Sequence, residues 1–286
     1  MTIQVSLAAA RAAFLAPGSA RKGEYALATG AAAVHRLAVL HGIYAPAGER
    51  VLIRAGLKPG MHVADFGCGI GAVTQMLAEM VGPSGRVTGI DASRSQLDQA
   101  AEICKRAGFR NVSFREADAC TTGLPRASFD LVYCRFLLLH LPDPAACLRE
   151  MRDVLRPGGI LVVEEGDIAS ARSVPPTALN AFADLFTRLG PTRGLNYSMA
   201  NNLYHLVTAA GFSDPNIELH QPPVTRGDSG LLLTMSVEEA GPAFVAAGLI
   251  TTDELERTIA AMEAARQDSD VLVLAPRMSQ VWARKN

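Results

Sequence analysis

A glycine-rich turn at the end of an apolar run constrains this chain more than any other feature. The run extends from Met61 to Phe66, and glycines follow at positions 67, 69 and 71. Three residues without a Cβ let the backbone turn sharply from a strand into a helix and approach a ligand closely. The helix that follows presents free N–H groups at its start. The turn therefore predicts a ligand site at the carboxyl edge of a parallel sheet.

Short apolar runs alternate with helical periodicity from about Met61 to Glu165. This alternation is typical of βαβ units and a parallel sheet. Ser93, with Gln96 three residues later, and Asp143, followed by proline, are predicted helix caps. The predicted strands cover residues 61–66, 87–90, 112–118, 129–134 and 160–165.

The flanking regions show a less regular pattern. Residues 1–58 are expected to be largely helical, and helices are predicted near 177–189 and 198–210. Capping boxes predict helix starts at Ser236 and Thr251. Strands are expected near 217–220 and 279–284, and a loop over 221–230.

The charge balance argues against a nucleic-acid or anionic membrane partner. There are 27 basic and 28 acidic residues, for a formal net charge of −1. The five cysteines show no C-x-x-C spacing, which favours a reducing cytoplasm over a disulfide framework or a metal site. Neither a signal peptide nor a membrane span is expected, since Arg11 interrupts the apolar N-terminal stretch and no uncharged apolar run is long enough.

Two aspartates indicate which ligand the turn binds. Asp65 lies two residues before the first glycine, where a carboxylate repels a pyrophosphate and attracts an ammonium group. Asp91 ends the second predicted strand and is placed to accept the two hydroxyls of a ribose. The glycine spacing also differs from the dinucleotide G-x-G-x-x-G pattern, although Ala72 supplies its permitted small variant. The structural alternatives are a turn-stabilising Asp65 and a helix-capping Asp91.

These residues resemble the motifs of the Rossmann-like, S-adenosylmethionine-dependent methyltransferases. Asp65-x-Gly67-x-Gly69-x-Gly71 is similar to their first motif, and Asp91 to the acidic residue that closes strand 2. Residues 116–119, 129–134 and 155–159 resemble the next three segments in the correct order. The resemblance implies a doubly wound, seven-stranded α/β fold with strand order 3-2-1-4-5-7-6 and S-adenosylmethionine as the cofactor. The cofactor-binding residues that it implies are Asp65, Gly67, Cys68, Gly69, Gly71, Asp91, Ala92, Asp118, Ala119, Cys134, Arg135 and Tyr25.

The flanks resemble a narrower group of bacterial methyltransferases that modify small molecules, of the quinone-methylating type. Tyr25 and the His41-x-x-Tyr44 segment are similar to the helical element that covers the cofactor in that group. The resemblance implies a covering segment over 1–58, a cofactor-binding core over 59–170, and cap helices with closing strands over 171–286. The expected partner is a small, partly apolar methyl acceptor, and a homodimer is left open.

His140, in the segment after the fourth strand, is the candidate catalytic base. The alternative is that His140 only stabilises the loop before the Asp143 cap. Arg135 is expected either to anchor an acidic substrate or to pair with Glu164 or Glu165. Two other functions stay open: a cofactor-binding protein or enzyme that transfers no methyl group, and a nicotinamide oxidoreductase.

Overall fold

The computed structural model describes Leu27, residues 34–224 and residues 230–286. Tyr25 and most of the predicted N-terminal segment lie outside the described residues, as do residues 225–229 of the predicted loop. The helices are α1 (Val34–Ala55), α2 (Ala72–Val81), α3 (Arg94–Arg106), α4 (Pro144–Val154), α5 (Ala181–Arg193), α6 (Leu203–Ala209), α7 (Leu232–Ala246) and α8 (Thr252–Arg266). The strands are β1 (His62–Phe66), β2 (Arg86–Asp91), β3 (Val112–Glu116), β4 (Phe129–Arg135), β5 (Leu155–Asp167), β6 (Arg172–Val174), β7 (Ser213–His220), β8 (Leu272–Leu274) and β9 (Arg277–Arg284).

Seven strands form one twisted sheet in the order β3-β2-β1-β4-β5-β9-β7. Strands β1 to β5 are parallel, whereas β9 pairs antiparallel with β5 and with β7. Because β6 and β8 form a separate small sheet, β7 and β9 are the sixth and seventh strands of the main sheet. The order 3-2-1-4-5-7-6 implied by the sequence resemblance is therefore confirmed. The order reverses at β1, with β2 on one side and β4 on the other, and a switch point of this kind opens a crevice at the carboxyl edge.

Local signals explain where the helices begin. The Asp143 side chain accepts the Ala146 N–H at 2.9 Å, and Pro144 occupies the first turn of α4. The Ser93 side chain accepts the Gln96 N–H, and Thr251 forms a complete capping box with Glu254. These predicted caps are confirmed.

The sheet separates two apolar clusters because alternate strand residues face opposite sides. In β4, Leu131 and Tyr133 belong to the cluster beneath α1 and α2. Val132 and Cys134 belong to the larger cluster, which also contains the apolar side chains of α4, α5 and α7. Both faces are thus covered, as a doubly wound sheet requires. No described helix combines the length and the apolar character needed to cross a membrane.

The structure corrects three sequence predictions about secondary structure. Ser236 does not start a helix: it lies inside α7, where its hydroxyl donates to the Leu232 carbonyl at 2.7 Å. The fifth strand begins earlier than the predicted residue 160: residues 156–159 belong to β5, and the ladder with β4 shifts register there. The short β6–β8 sheet was missed, because three-residue strands are too brief to show a period.

Candidate active site

A cavity of about 670 Å³ lies at the carboxyl edge of the sheet. One part of its wall, here called the turn side, comes from the ends of β1 to β3. The opposite part, here called the helix side, comes from the cap helices and the residues before them. The turn side consists of Gly67, Cys68, Gly69, Asp91, Ala92, Asp118 and Ala119, and the helix side of Ile168, Phe182, Phe186, Tyr197, Leu232 and Ser236.

The glycine turn leaves no room for a side chain at its first position. Gly67 has a φ of 69°, and a Cβ built on it lies 2.8 Å from Leu137 Cδ1. Leu137 belongs to the segment after β4, which packs directly on the turn. Glycine is therefore needed at position 67 both for the left-handed backbone and for this close approach.

Asp91 connects the turn to β2. Its Oδ2 accepts the Gly69 N–H at 2.9 Å, and its Oδ1 accepts the Ser93 N–H at 2.8 Å. Burial raises the pKa of Asp91, although the N–H donors counteract that rise. An ionised carboxylate offers about four acceptor positions, so lone pairs remain for ligand hydroxyls. Helix α3 is capped by Ser93, and the capping alternative for Asp91 therefore does not account for this residue.

Asp65 lies behind the turn instead of in the cavity wall. Its side chain is 2% exposed, and its Oδ2 accepts a hydrogen bond from the Thr74 hydroxyl at 2.6 Å. Burial is the main cause that raises the pKa of Asp65 to about 7, and the Thr74 hydrogen bond and the charge of Arg135 lower it. The carboxyl group thus links the end of β1 to the first turn of α2.

The segment after β4 is held by the end of β5. Phe136 has a φ of 52°, and its N–H donates to the Glu164 carbonyl at 3.0 Å. The Leu137 and Leu138 N–H groups both donate to Glu165 Oε1, at 2.9 and 2.6 Å. Burial of Glu165 raises its pKa to about 8 against the effect of these donors. Glu165 therefore fixes the segment that lies between the turn side and the helix side.

Arg135 lines the cavity at the point where β4 ends. Its Nη2 lies 2.9 Å from His41 Nδ1. The alternative in which Arg135 pairs with Glu164 or Glu165 is not found among the described residues: Glu164 binds Tyr133 and Gln280, and Glu165 binds backbone N–H groups. Burial and the Arg135 charge lower the pKa of His41 to about 4, so this imidazole is neutral at physiological pH.

The helix side contains three aromatic rings, and Phe186 contacts the other two. The Phe186 ring lies 5.5 Å from the Tyr197 ring and 5.1 Å from the Phe182 ring. The His140 ring lies 5.8 Å from the Tyr197 ring, and part of its surface faces the cavity. Burial, followed by the charge of Arg36, lowers the pKa of His140 to about 3. His140 is thus a neutral imidazole in the cavity wall, in contact with the Tyr197 ring.

The structure brings most of the predicted site residues together. Gly67, Cys68, Gly69, Asp91, Ala92, Asp118, Ala119, Arg135 and His140 all line the cavity. Asp65, Gly71 and Cys134 lie behind its wall, and Gly71 closely approaches Ala100 of α3.

Sequence reasoning missed several residues of the cavity wall. Arg36 is 3% exposed and pairs with Glu239 at 2.7 Å. Gln96 was noted only as part of a cap, yet its side chain lies against Gly69. The capping box at Ser236 and Glu239 marked this region of the sequence, although for the wrong reason.

Comparison with known proteins identifies the family. A sequence model described as "Methyltransferase domain" matches residues 57–210, which is more than half of the chain. The chain belongs to this methyltransferase family. It is also 32% identical over 170 residues to a demethylmenaquinone methyltransferase from Staphylococcus aureus, covering 59% of this chain and 68% of that protein.

Two solved structures show the same fold. A phosphoethanolamine N-methyltransferase 2 from Haemonchus contortus, with phosphomonomethylethanolamine and S-adenosylhomocysteine bound, aligns with a TM-score of 0.57 and 18% identity, covering 86% of this chain and 56% of that one. The YcgJ protein from Bacillus subtilis aligns with a TM-score of 0.56 and 19% identity, covering 84% of this chain and 97% of that one. The protein is thus an α/β, Rossmann-like methyltransferase that uses S-adenosylmethionine.

The residues of the turn side fit this cofactor. Asp91 retains acceptor positions for two ribose hydroxyls, and Gly67 and Gly69 carry no side chain that would block a close approach to their backbone. Asp118 and Ala119 lie one strand further along the same edge, beyond β2. A dinucleotide pyrophosphate fits less well, since two carboxylates face or underlie the turn.

Proposed function

We propose that this methyltransferase acts on a small, partly apolar metabolite bound against the helix side of the cavity. The observation that supports this proposal is the aromatic wall formed by Phe182, Phe186 and Tyr197, with few polar groups among its rings. Pockets for small molecules are lined in this way, with a small number of polar groups for orientation. A relative named demethylmenaquinone methyltransferase supports an apolar acceptor.

The cofactor assignment follows the chain from strand to strand. The Gly67–Gly69 backbone faces the amino-acid portion of the cofactor, Asp91 accepts from the ribose, and Asp118 with Ala119 contacts the adenine. Ala92 and Cys68 complete the wall on this side. Asp65, Gly71 and Cys134 act from behind by holding the shape of the turn.

When bound, S-adenosylmethionine supplies an electrophilic methyl group on a sulfonium centre. The protein contributes mainly by holding the acceptor in line with that methyl, an effect worth roughly 7–11 kcal/mol. Phe186 and Tyr197 exclude water, which favours a reaction in which opposite charges are neutralised. His140 is the catalytic candidate. Because its imidazole is neutral and weakly basic, it accepts a hydrogen bond from the acceptor more readily than a full proton.

The predicted division of the chain supports this arrangement. Within residues 1–58, Leu37, Leu40 and His41 of α1 contribute to the cavity wall. The core over 59–170 supplies the turn side, and the region over 171–286 supplies most of the helix side and the closing strands. We propose that the first and last regions cover the two ends of one cavity.

An acceptor panel tests the proposal. The protein is incubated with S-adenosylmethionine and with small phenols, quinols, amines, thiols or a nucleic acid, and S-adenosylhomocysteine is measured by mass spectrometry. We expect turnover with a small, partly apolar acceptor and none with the nucleic acid. Methylation of the nucleic acid would contradict the proposal, and a cofactor left intact by every acceptor would favour a protein that transfers no methyl group.

A further inference from the structure

The position of Arg135 has a consequence for cofactor selectivity. Residue Cys134 of β4 pairs with Phe66 of β1, so the next residues along these parallel strands, Arg135 and Gly67, are neighbours. Both line the cavity. The backbone of Arg135 therefore lies beside the glycine turn, and its side chain contributes to the wall of the same cavity.

Arg135 has no carboxylate partner within the described part of the chain. None of the ion pairs formed there includes this residue, and its Nη1 is buried without a hydrogen-bond partner among the described residues. Asp65 is close enough for its pKa to be lowered by the Arg135 charge, yet the two side chains form no ion pair among the described residues. Partial burial of a guanidinium that forms no ion pair costs desolvation free energy, and a bound anion offsets that cost.

His41 fixes the orientation of this guanidinium. An arginine has only donors, so the contact between Arg135 Nη2 and His41 Nδ1 requires an unprotonated Nδ1. Burial and the adjacent positive charge keep His41 in that neutral form. His41 thus uses one donor of the guanidinium without neutralising its charge, and the other donors remain available.

We propose that Arg135, oriented by His41, binds the carboxylate of the cofactor's amino-acid portion and thereby selects S-adenosylmethionine over nucleosides that lack it. The inference rests on the proposed assignment of the turn side to the cofactor. A carboxylate on the acceptor has the same chemistry, but Arg135 adjoins Gly67, whereas Arg36 is the cation that acts on His140. Planar guanidinium groups bind carboxylates through two parallel hydrogen bonds, which gives selectivity as well as affinity.

Two ligands that differ in the amino-acid portion test this inference by calorimetry. S-adenosylhomocysteine carries the carboxylate, and 5′-methylthioadenosine lacks the whole amino-acid group. We expect the Arg135→Gln substitution to lower the affinity for S-adenosylhomocysteine about ten- to hundredfold. Affinity for 5′-methylthioadenosine should change by less than about twofold, because the nucleoside contacts stay intact. Retained nucleoside binding also shows that the variant is folded.

Further variants and a third ligand separate the carboxylate from other causes. The decarboxylated analogue of S-adenosylhomocysteine keeps the amine, and we expect wild type and Arg135→Gln to bind it equally well. His41→Ala should lower the affinity for S-adenosylhomocysteine by roughly three- to tenfold, because Arg135 is then less well oriented. The affinities for the two ligands without a carboxylate should not change. Arg36→Gln is the matched control, and it should leave the ratio of the two affinities unchanged.

Two results overturn the inference. If Arg135→Gln binds S-adenosylhomocysteine as well as wild type, the carboxylate lies elsewhere and Arg135 serves the acceptor. If the variant loses affinity for all three ligands equally, Arg135 shapes the cavity and does not bind the carboxylate. Failure of the proposed site looks different, because wild type itself would then bind neither S-adenosylhomocysteine nor 5′-methylthioadenosine.

Discussion

The two sides of the cavity are held together by different kinds of interaction. On the turn side, hydrogen bonds from backbone N–H groups to carboxylates fix the geometry, as between Gly69 and Asp91. On the helix side, aromatic rings such as Phe186 and Tyr197 make edge-to-face contacts, and most of the wall is apolar. The first kind of wall holds one ligand in one orientation. The second kind tolerates changes in ligand shape, so a family with one cofactor and many acceptors can keep the first and vary the second.

The largest effect is expected at His140, on the helix side. His140→Ala should lower turnover about a hundredfold, because the acceptor loses a hydrogen bond in the reacting geometry, while affinity for S-adenosylhomocysteine stays unchanged. The rate profile of wild type should show no inflection from His140 between pH 5 and 8, because its pKa of about 3 keeps it neutral throughout. Steady-state kinetics and calorimetry measure the two quantities. Near-normal turnover of the variant would leave His140 with a structural role only.

The opposite pattern is expected at Asp91, on the turn side. Asp91→Ala should make the binding free energy of S-adenosylhomocysteine less favourable by about 1–3 kcal/mol, because the ribose hydroxyls and the Gly69 N–H lose their acceptor. Turnover at saturating cofactor should fall much less than affinity does. Calorimetry of Asp91→Ala and Asp91→Asn gives the comparison, because the amide keeps one acceptor oxygen. An unchanged dissociation constant for both variants means that the ribose lies elsewhere.

The turn side could be predicted from the sequence because neighbouring strand ends meet at one edge. Gly69 and Asp91 are 22 positions apart, and one βαβ unit is enough to bring them together. The direction of a side chain could not be predicted: the spacing put Asp65 at the right edge, and only the structure shows that its carboxyl group binds Thr74 of α2. No local pattern reports such a direction.

The helix side could not be predicted in the same way, since its contacts span the chain. Arg36 pairs with Glu239, 203 positions away, and Arg36 belongs to no recognisable motif. The Ser236 capping signal was misleading because tertiary packing extended α7 past it, and the buried hydroxyl then bonded within the helix. The family resemblance implied a partly apolar acceptor but did not predict which residues form its pocket.

A third prediction sharpens the contrast through Phe186, which contacts three other aromatic rings. Phe186→Leu keeps an apolar side chain but removes the edge contacts between the rings. It should raise the KM for the acceptor about fivefold, which corresponds to about 1 kcal/mol. Affinity for S-adenosylhomocysteine should not change. Kinetics with an acceptor found in the panel, together with calorimetry, measure both. A loss of cofactor affinity as large as the acceptor effect would contradict the separation of the two sides.

The last prediction concerns stability instead of turnover or affinity, through Glu165, whose carboxyl group holds the segment between the two sides. Its folded pKa of about 8 exceeds its unfolded value of 4.5, so the folded state retains a proton that the unfolded state releases. The free energy of unfolding of wild type, relative to Glu165→Gln, should therefore fall as pH rises from about 5 to 8 and level off above 8. The expected slope is at most about 1.4 kcal/mol per pH unit. Urea unfolding of both proteins at several pH values measures this difference, and the histidines, common to both, cancel. An opposite slope would mean that the donors from Leu137 and Leu138 keep Glu165 ionised.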